Sequence, residues 1–157
     1  MSGGALGFEM VPPNATSGYA AAAHDFWNGL NVFGSSRKRP MLSVLLLAAF
    51  CAECALKSFL SRAGFDEDTL SRRPYGHDLD KLWTESAARG LGISPSSPDW
   101  LKILHEQNQA GDFHIRYCTR RHSTTSPGLH TLLDELKSLL DAIELVRING
   151  LPSRSPE

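Results

Sequence analysis

The sequence predicts an all-α protein, an up-and-down bundle of four to five helices. Apolar residues recur every three or four positions in each segment that we expect to be ordered, which is the spacing of an amphipathic helix. No run of alternating β-branched residues, the pattern of a strand, occurs in the 157 residues. Helices without a sheet bury their apolar faces against one another, and the result is a bundle.

The chain is predicted to form one domain with flexible ends. Its length is that of a single domain whose core needs no metal or disulfide. Residues 1–17 are rich in Gly, Pro, Asn and Ser, and we expect a flexible lead there. The helical domain covers residues 18–150, and a short tail covers residues 151–157.

Two helices open the domain, and the second is the central one. The first is predicted over about 17–31 from apolar residues at helical spacing: Tyr19, Ala23, Phe26, Trp27 and Leu30. The second runs over about 41–63, is stopped by Gly64, and is apolar nearly all round. Its apolar run lasts only twelve residues before Glu53, whereas a membrane-spanning helix needs roughly 20. We therefore expect a buried core helix and no membrane partner.

Two shorter helices follow. Asp78 is placed to cap the first of them, after a charged loop over residues 66–75. Asp99 begins the second, which carries Trp100 and Gln107 on its apolar face. Both are amphipathic, with their apolar residues on one face.

The last helix is long and follows an irregular stretch. Residues 111–125 show no clear period and are predicted to be irregular or briefly helical. Ser126 and Pro127 have the pattern of an N-cap followed by proline in the first turn. The helix that they start is predicted to run to about residue 147.

The composition indicates the cytoplasm. The net charge of −1 argues against a large basic surface for nucleic acid. Three cysteines, an odd number, and the lack of an N-terminal signal peptide favour a reducing compartment. No Gly-rich phosphate loop occurs, and we predict no cofactor.

The cysteines allow two interpretations. Cys51 and Cys54 lie within the central helix, and a zinc site could be imagined with Cys118 and His122. Zinc ligand pairs normally lie on turns, however. We therefore interpret the two helical cysteines as small core side chains and predict no metal.

Glu53 and Lys57 are charged residues within an apolar stripe. At about 100° per residue, both fall on the face made by Leu42, Leu46, Ala49, Phe50, Leu56 and Leu60. A buried charge is strongly unfavourable unless it is paired and hydrogen-bonded. We therefore expect Glu53 within reach of Lys57, Arg116 or both, with His77 nearby.

Three groups of residues occur in a fixed order along the chain. They lie at positions 52–57 (Ala-Glu-Cys-Ala-Leu-Lys) with Leu60, positions 76–79 (Gly-His-Asp-Leu) with Leu82 and Trp83, and positions 113–117 (Phe-His-Ile-Arg-Tyr). This order resembles the HEPN superfamily of small helical domains. The resemblance implies a four-helix bundle that often dimerises. Some members are metal-independent endoribonucleases of toxin and antiviral systems, and others are non-catalytic partners of nucleotidyltransferases or scaffolds.

Catalytic members of that superfamily carry an arginine and, four to six residues later, a histidine; Arg116 and His122, with five residues between them, match. The resemblance implies that the histidine moves the proton of a ribose 2′-hydroxyl while the arginine stabilises the phosphorane oxygens. Arg120 and Arg121 are candidate RNA contacts. Tyr117 departs from the polar residue frequent in active members. These basic residues can equally form a solvated surface.

A structural interpretation competes for the same side chains. The planar guanidinium of Arg116 suits a buried carboxylate, so Arg116 can pair with Glu53 while Tyr117 packs beside it. His77 and Asp78 can order the start of the next helix or join the Glu53 network instead of transferring a proton.

Two functions therefore stay open. As an interaction module, the domain forms a homodimer or docks on a protein such as a nucleotidyltransferase, in a bacterial-type defence or toxin system, and catalyses nothing. As an enzyme, it cleaves RNA through Arg116 and His122 without a metal. The departure at Tyr117 favours the interaction module.

Overall fold

The computed structural model contains helices and no strand in the residues it describes, which are residues 15–37, 40–109 and 125–151. The helices are α1 (Ala15–Gly34), α2 (Met41–Arg62), α3 (Glu67–Ser71), α4 (Leu79–Ala88), α5 (Asp99–Gln109) and α6 (Leu129–Asn149). The all-α prediction is confirmed.

Helix α2 is the centre of the bundle. It contacts α1, α4, α5 and α6, and thirteen of its 22 residues are buried. Within the described residues it is the helix long and apolar enough to cross a membrane, but 67% of its apolar window is buried inside the bundle. The burial agrees with the prediction of a core helix.

Helix α1 runs antiparallel to both α2 and α6. At one end of α1, Thr16 Oγ1 lies 2.8 Å from Ser61 Oγ near the end of α2. Further along, Trp27 donates from Nε1 to the carbonyl of Leu133, at the start of α6, over 3.4 Å. Since α1 opposes both neighbours, α2 and α6 are parallel to each other.

Gly64 ends α2, as the sequence predicted. Its φ of 101° is open to glycine and strained for other residues. This backbone lets the amide of Gly64 donate to Ser61 O (3.1 Å) and the amide of Phe65 donate to Leu60 O (3.0 Å). The pair of bonds is a Schellman motif, which satisfies carbonyls at the end of the helix.

One helix was missed in the predicted charged loop. Asp66 caps α3 by accepting a hydrogen bond from the amide of Thr69 over 2.7 Å. Glu67 and Asp68 add negative charge to the first turn, where the helix dipole favours it. Five residues are too few for apolar periodicity, so the capping aspartate was the available signal.

The predicted start of the last helix was wrong. Gly128 is the N-cap of α6 and offers no side-chain hydrogen bond, and the helix begins at Leu129. Ser126 does not act as the cap, because its hydroxyl donates to the carbonyl of Pro127 over 2.8 Å. The helix ends at Asn149, where Gly150 adopts a φ of 82°.

The predicted cap of α4 is confirmed, and α4 packs on α5. Asp78 accepts from the amide of Lys81 over 2.9 Å. The rings of Trp83 and Trp100 meet edge to face, with centroids 6.1 Å apart, and Trp83 Nε1 donates to Ser94 O over 2.8 Å. The connection between α4 and α5 is thereby held against α4.

Replacing Phe59 with alanine is expected to lower the free energy of unfolding by about 3–5 kcal/mol, because the side chain is fully buried in α2 and its loss leaves a cavity. Urea denaturation measures the change. The matched control is Val32→Ala, whose side chain is 69% exposed and whose loss is expected to be nearly neutral. A similar stability for both variants contradicts the packing described.

Candidate functional site

The predicted polar network lies at the middle of α2. Glu53 and Lys57, one helical turn apart, are 6% and 4% exposed. Lys57 Nζ donates to Glu53 Oε1 over 2.8 Å. Both the helical phase assigned to these residues and their pairing are therefore confirmed.

His77 joins this pair from the turn before α4. Its Nδ1 lies 3.0 Å from both carboxylate oxygens of Glu53. A carboxylate only accepts hydrogen bonds, so the proton of a neutral His77 ring belongs on Nδ1 and the lone pair on Nε2. The side chain is 47% exposed and borders an open cleft of about 520 Å³, lined by Ser71, Arg73, Pro74, Tyr75, Gly76, His77 and Asp78.

Helix α5 fixes the backbone of His77. Asn108, which is fully buried, donates from Nδ2 to the carbonyl of His77 over 3.3 Å. Asp78, besides capping α4, has a carboxylate oxygen 3.5 Å from Nδ1 of His105 on α5. At this distance and geometry His105 Nδ1 makes no hydrogen bond, so the contact is a weak electrostatic one.

Asn108 was missed by the sequence reasoning. Its neighbour Gln107, on the apolar face of α5, was recognised and is 5% exposed, but Asn108 was not singled out. An amide next to a predicted apolar stripe, in a chain whose core must satisfy a buried charge, was the signal that could have identified it.

Tyr19 of α1 covers the other side of the network. Lys57 Nζ lies 5.8 Å from the centroid of the Tyr19 ring, within range of a cation–π contact. Burial raises the pKa of the Tyr19 hydroxyl, and electrostatic interactions with Glu67, Cys54 and Glu53 raise it further. The phenol therefore stays neutral beside the network at physiological pH.

The remaining predicted site residues lie outside the described residues: Arg116, Tyr117, Arg120, Arg121 and His122. The predicted pairing of Arg116 with Glu53 and the arginine–histidine catalytic pair both stay predictions. Within the described residues, the structure brings together Glu53, Lys57 and His77, and it places Asp78 beside them as the cap of α4.

The two cysteines of α2 fit the interpretation as core residues. Cys51 is fully buried and its Sγ donates to Ala23 O over 3.3 Å. Among the described residues, no group of three His, Cys, Asp or Glu side chains could hold a metal ion. Cys118 and His122 lie outside those residues.

The network has the chemistry of a structural clamp. Lys57 balances the charge of Glu53, and His77 is held at both its ring and its carbonyl. Such an arrangement joins α2, the turn before α4, and α5 through hydrogen bonds in a low-dielectric core. No family model, curated protein or solved structure matches this chain.

Removing the carboxylate is expected to destabilise the fold. Glu53→Ala leaves Lys57 buried and uncompensated, and we expect a loss of about 3–5 kcal/mol in the free energy of unfolding. Glu106→Ala, at an exposed position on α5, is the control. The double variant Glu53→Met, Lys57→Met removes both charges and is expected to be more stable than Glu53→Met alone. Chemical denaturation of the four variants tests the pairing; equal losses for Glu53→Ala and Glu106→Ala contradict it.

Stability is expected to fall at alkaline pH. Burial, with a smaller effect of the neighbouring charges, raises the pKa of Cys51 to about 12 and of Cys54 to about 11. Thiols of the unfolded chain titrate near about 8.5. Between about pH 8.5 and 11 the unfolded state therefore binds fewer protons, so the free energy of unfolding decreases as the pH rises.

The cysteine contribution can be isolated by substitution. In Cys54→Ala, the decrease in the free energy of unfolding between pH 8 and about 10.5 is expected to be smaller than in the unsubstituted chain. Unfolding by urea at each pH provides the measurement. A slope that is the same in both proteins shows that Cys54 does not titrate as its burial requires.

Proposed function

We propose that this chain is a HEPN-like helical interaction module, active as a homodimer and without catalysis of its own. Its setting is a bacterial-type defence, toxin or nucleotidyltransferase-associated system. The order of its three residue groups supports the family proposal. The contact between His77 and Glu53, 24 residues apart, supports it further, because residues of the first two groups meet in one network.

The burial and pairing of Glu53 and Lys57 favour an interaction module over an enzyme. Glu53 and Lys57 are buried and paired with each other, so their charges stabilise the bundle and are not offered to a ligand. His77 binds the same carboxylate. The alternative, a metal-independent endoribonuclease that uses Arg116 and His122, rests on the spacing of these two residues in the sequence.

The observation that carries the proposal is an apolar surface at the end of α6. Leu145, Ile148 and Leu151 are 59%, 65% and 41% exposed and follow one another at intervals of three residues. We call these three residues the α6 patch. Leu145 and Ile148 lie about one turn apart on α6, and Leu151 follows the end of the helix. Large aliphatic side chains exposed in one region are typical of an interaction surface. In a two-fold dimer the α6 patch of one copy packs against the α6 patch of the other, so both apolar surfaces are buried.

Ile148→Glu is expected to convert the dimer into a monomer, because it places two buried like charges at the centre of a self-facing patch. Sedimentation velocity at matched concentrations gives the oligomeric state. Val32→Glu is the control, since Val32 is 69% exposed but lies near the opposite end of α6, beside Gly34, which approaches Leu133. A dimer that survives Ile148→Glu, or an unsubstituted chain that is monomeric, contradicts the proposal.

The same protein preparation tests whether the chain is instead an endoribonuclease. Incubation with single-stranded RNA and a chelator is expected to leave the RNA intact. Products ending in 2′,3′-cyclic phosphate, formed by the unsubstituted chain and lost in His122→Ala, would instead establish the endoribonuclease.

A further inference from the structure

A cleft of about 490 Å³ opens where α1, α2 and α6 meet, away from the Glu53 network. Its apolar lining includes Ala20 and Ala23 from α1 and Leu140 and Ile143 from α6. Ala23 is fully buried, whereas Ala20 is partly exposed and has only a methyl side chain, so the helices leave space above Ala20. The volume lies within the range of about 300–1,000 Å³ that small-molecule sites occupy.

Each of the three helices contributes one basic side chain to this cleft. They are His24 from α1, Arg62 from α2 and Arg147 from α6, and Glu144 of α6 is the carboxylate among them. Arg147 binds Glu144 with two hydrogen bonds, 2.7 Å from Nε and 2.5 Å from Nη2. These bonds lower the pKa of Glu144, and the positive charges of Arg147, His24 and Arg62 lower it further.

The lining therefore has more positive than negative charge. Glu144 neutralises one arginine, and the cleft contains two. Arg62 lies in the last turn of α2, where a cation is favoured by the helix dipole. That effect accounts for the presence of Arg62, but it does not account for basic side chains from three helices that line one cleft.

Hydroxyl groups lie beside these charges. Thr16 Oγ1 and Ser61 Oγ, 2.8 Å apart, join α1 to α2 at the cleft. Each hydroxyl carries one hydrogen, and their shared bond uses only one of the two. The second hydrogen can be donated to an anion that approaches Arg62.

We propose that this cleft binds a small amphiphilic anion, a carboxylate or phosphate monoester attached to a short apolar body. Arg62 supplies the positive charge, the Thr16–Ser61 pair supplies a hydrogen-bond donor, and the apolar body packs on Ala20 and Ile143. The ligand site is separate from the α6 patch and does not depend on the proposed function.

Titration of the ¹⁵N-labelled full chain tests the proposal. Octanoate and octyl phosphate are the probes, and the comparison between them identifies the preferred head group. Both are expected to shift the amide signals of cleft residues. Acetate, which lacks the apolar body, is expected to bind at least about tenfold more weakly. Octyltrimethylammonium, which has the opposite charge, is expected not to bind there.

Substitutions at Arg62 and Ala20 test separately how the charge and the shape of the cleft contribute to binding. Arg62→Gln is expected to weaken binding of the preferred probe about fivefold, the effect of one partly exposed ion pair. Arg72→Gln, an exposed arginine on another part of the bundle, is expected to leave it unchanged. Ala20→Leu fills the space above residue 20 in the cleft, and it is expected to weaken binding although Arg62 is retained. Circular dichroism verifies that each variant is folded.

The proposal is overturned if neither anion shifts the cleft signals of the folded, unsubstituted chain. It is also overturned if the ammonium probe binds as well as the anions, or if Arg62→Gln and Arg72→Gln bind the preferred probe equally. Sedimentation of Arg62→Gln is expected to match the unsubstituted chain, which keeps this test independent of dimer formation.

Discussion

A negative charge at the middle of the central helix is the constraint on which this structure depends. Glu53 is 6% exposed, and a carboxylate so placed must be paired and hydrogen-bonded for the fold to be stable. Lys57 binds this carboxylate from within α2, and His77 binds it from the turn before α4. Asn108 then binds the carbonyl of His77, so the same constraint reaches α5. Because hydrogen bonds are directional, this network limits how α4 and α5 can be placed on α2.

Much of this arrangement could be predicted because it depends on local chemistry. The helical period places Glu53 and Lys57 on the apolar face of α2 wherever the neighbouring helices lie. Gly64 and Asp78 act through their own backbone and side chain within one turn, so their roles are visible without tertiary information. The burial of Glu53 and Lys57 could also be predicted, because α2 is apolar nearly all round and is therefore expected in the core.

The features that could not be predicted depend on short segments or on partners distant in sequence. Helix α3 has five residues, too few to show a period, and α6 begins at Leu129 after a glycine cap without a side chain. The role of Asn108 depends on the carbonyl of His77, 31 residues away, and a sequence pattern does not encode that contact. The α1–α2–α6 cleft was missed for a related reason. Alanines such as Ala20 are good helix formers, so their presence indicates a helix without indicating that the space above them is left open.

The burial of Glu53 and Lys57 limits where a ligand or partner can bind. Glu53 and Lys57 are buried and bind each other, so their charges are not available to a ligand. A ligand or partner must therefore bind at other surfaces, and α6 contributes to two of them. Leu145 and Ile148 point to solvent, whereas Glu144 and Arg147 line the cleft shared with α1 and α2. Successive residues on a helix are about 100° apart, so the two surfaces lie on adjoining faces of one rigid element. A dimer formed through the α6 patch would therefore hold each cleft at the edge of the interface, where it stays open to a small ligand.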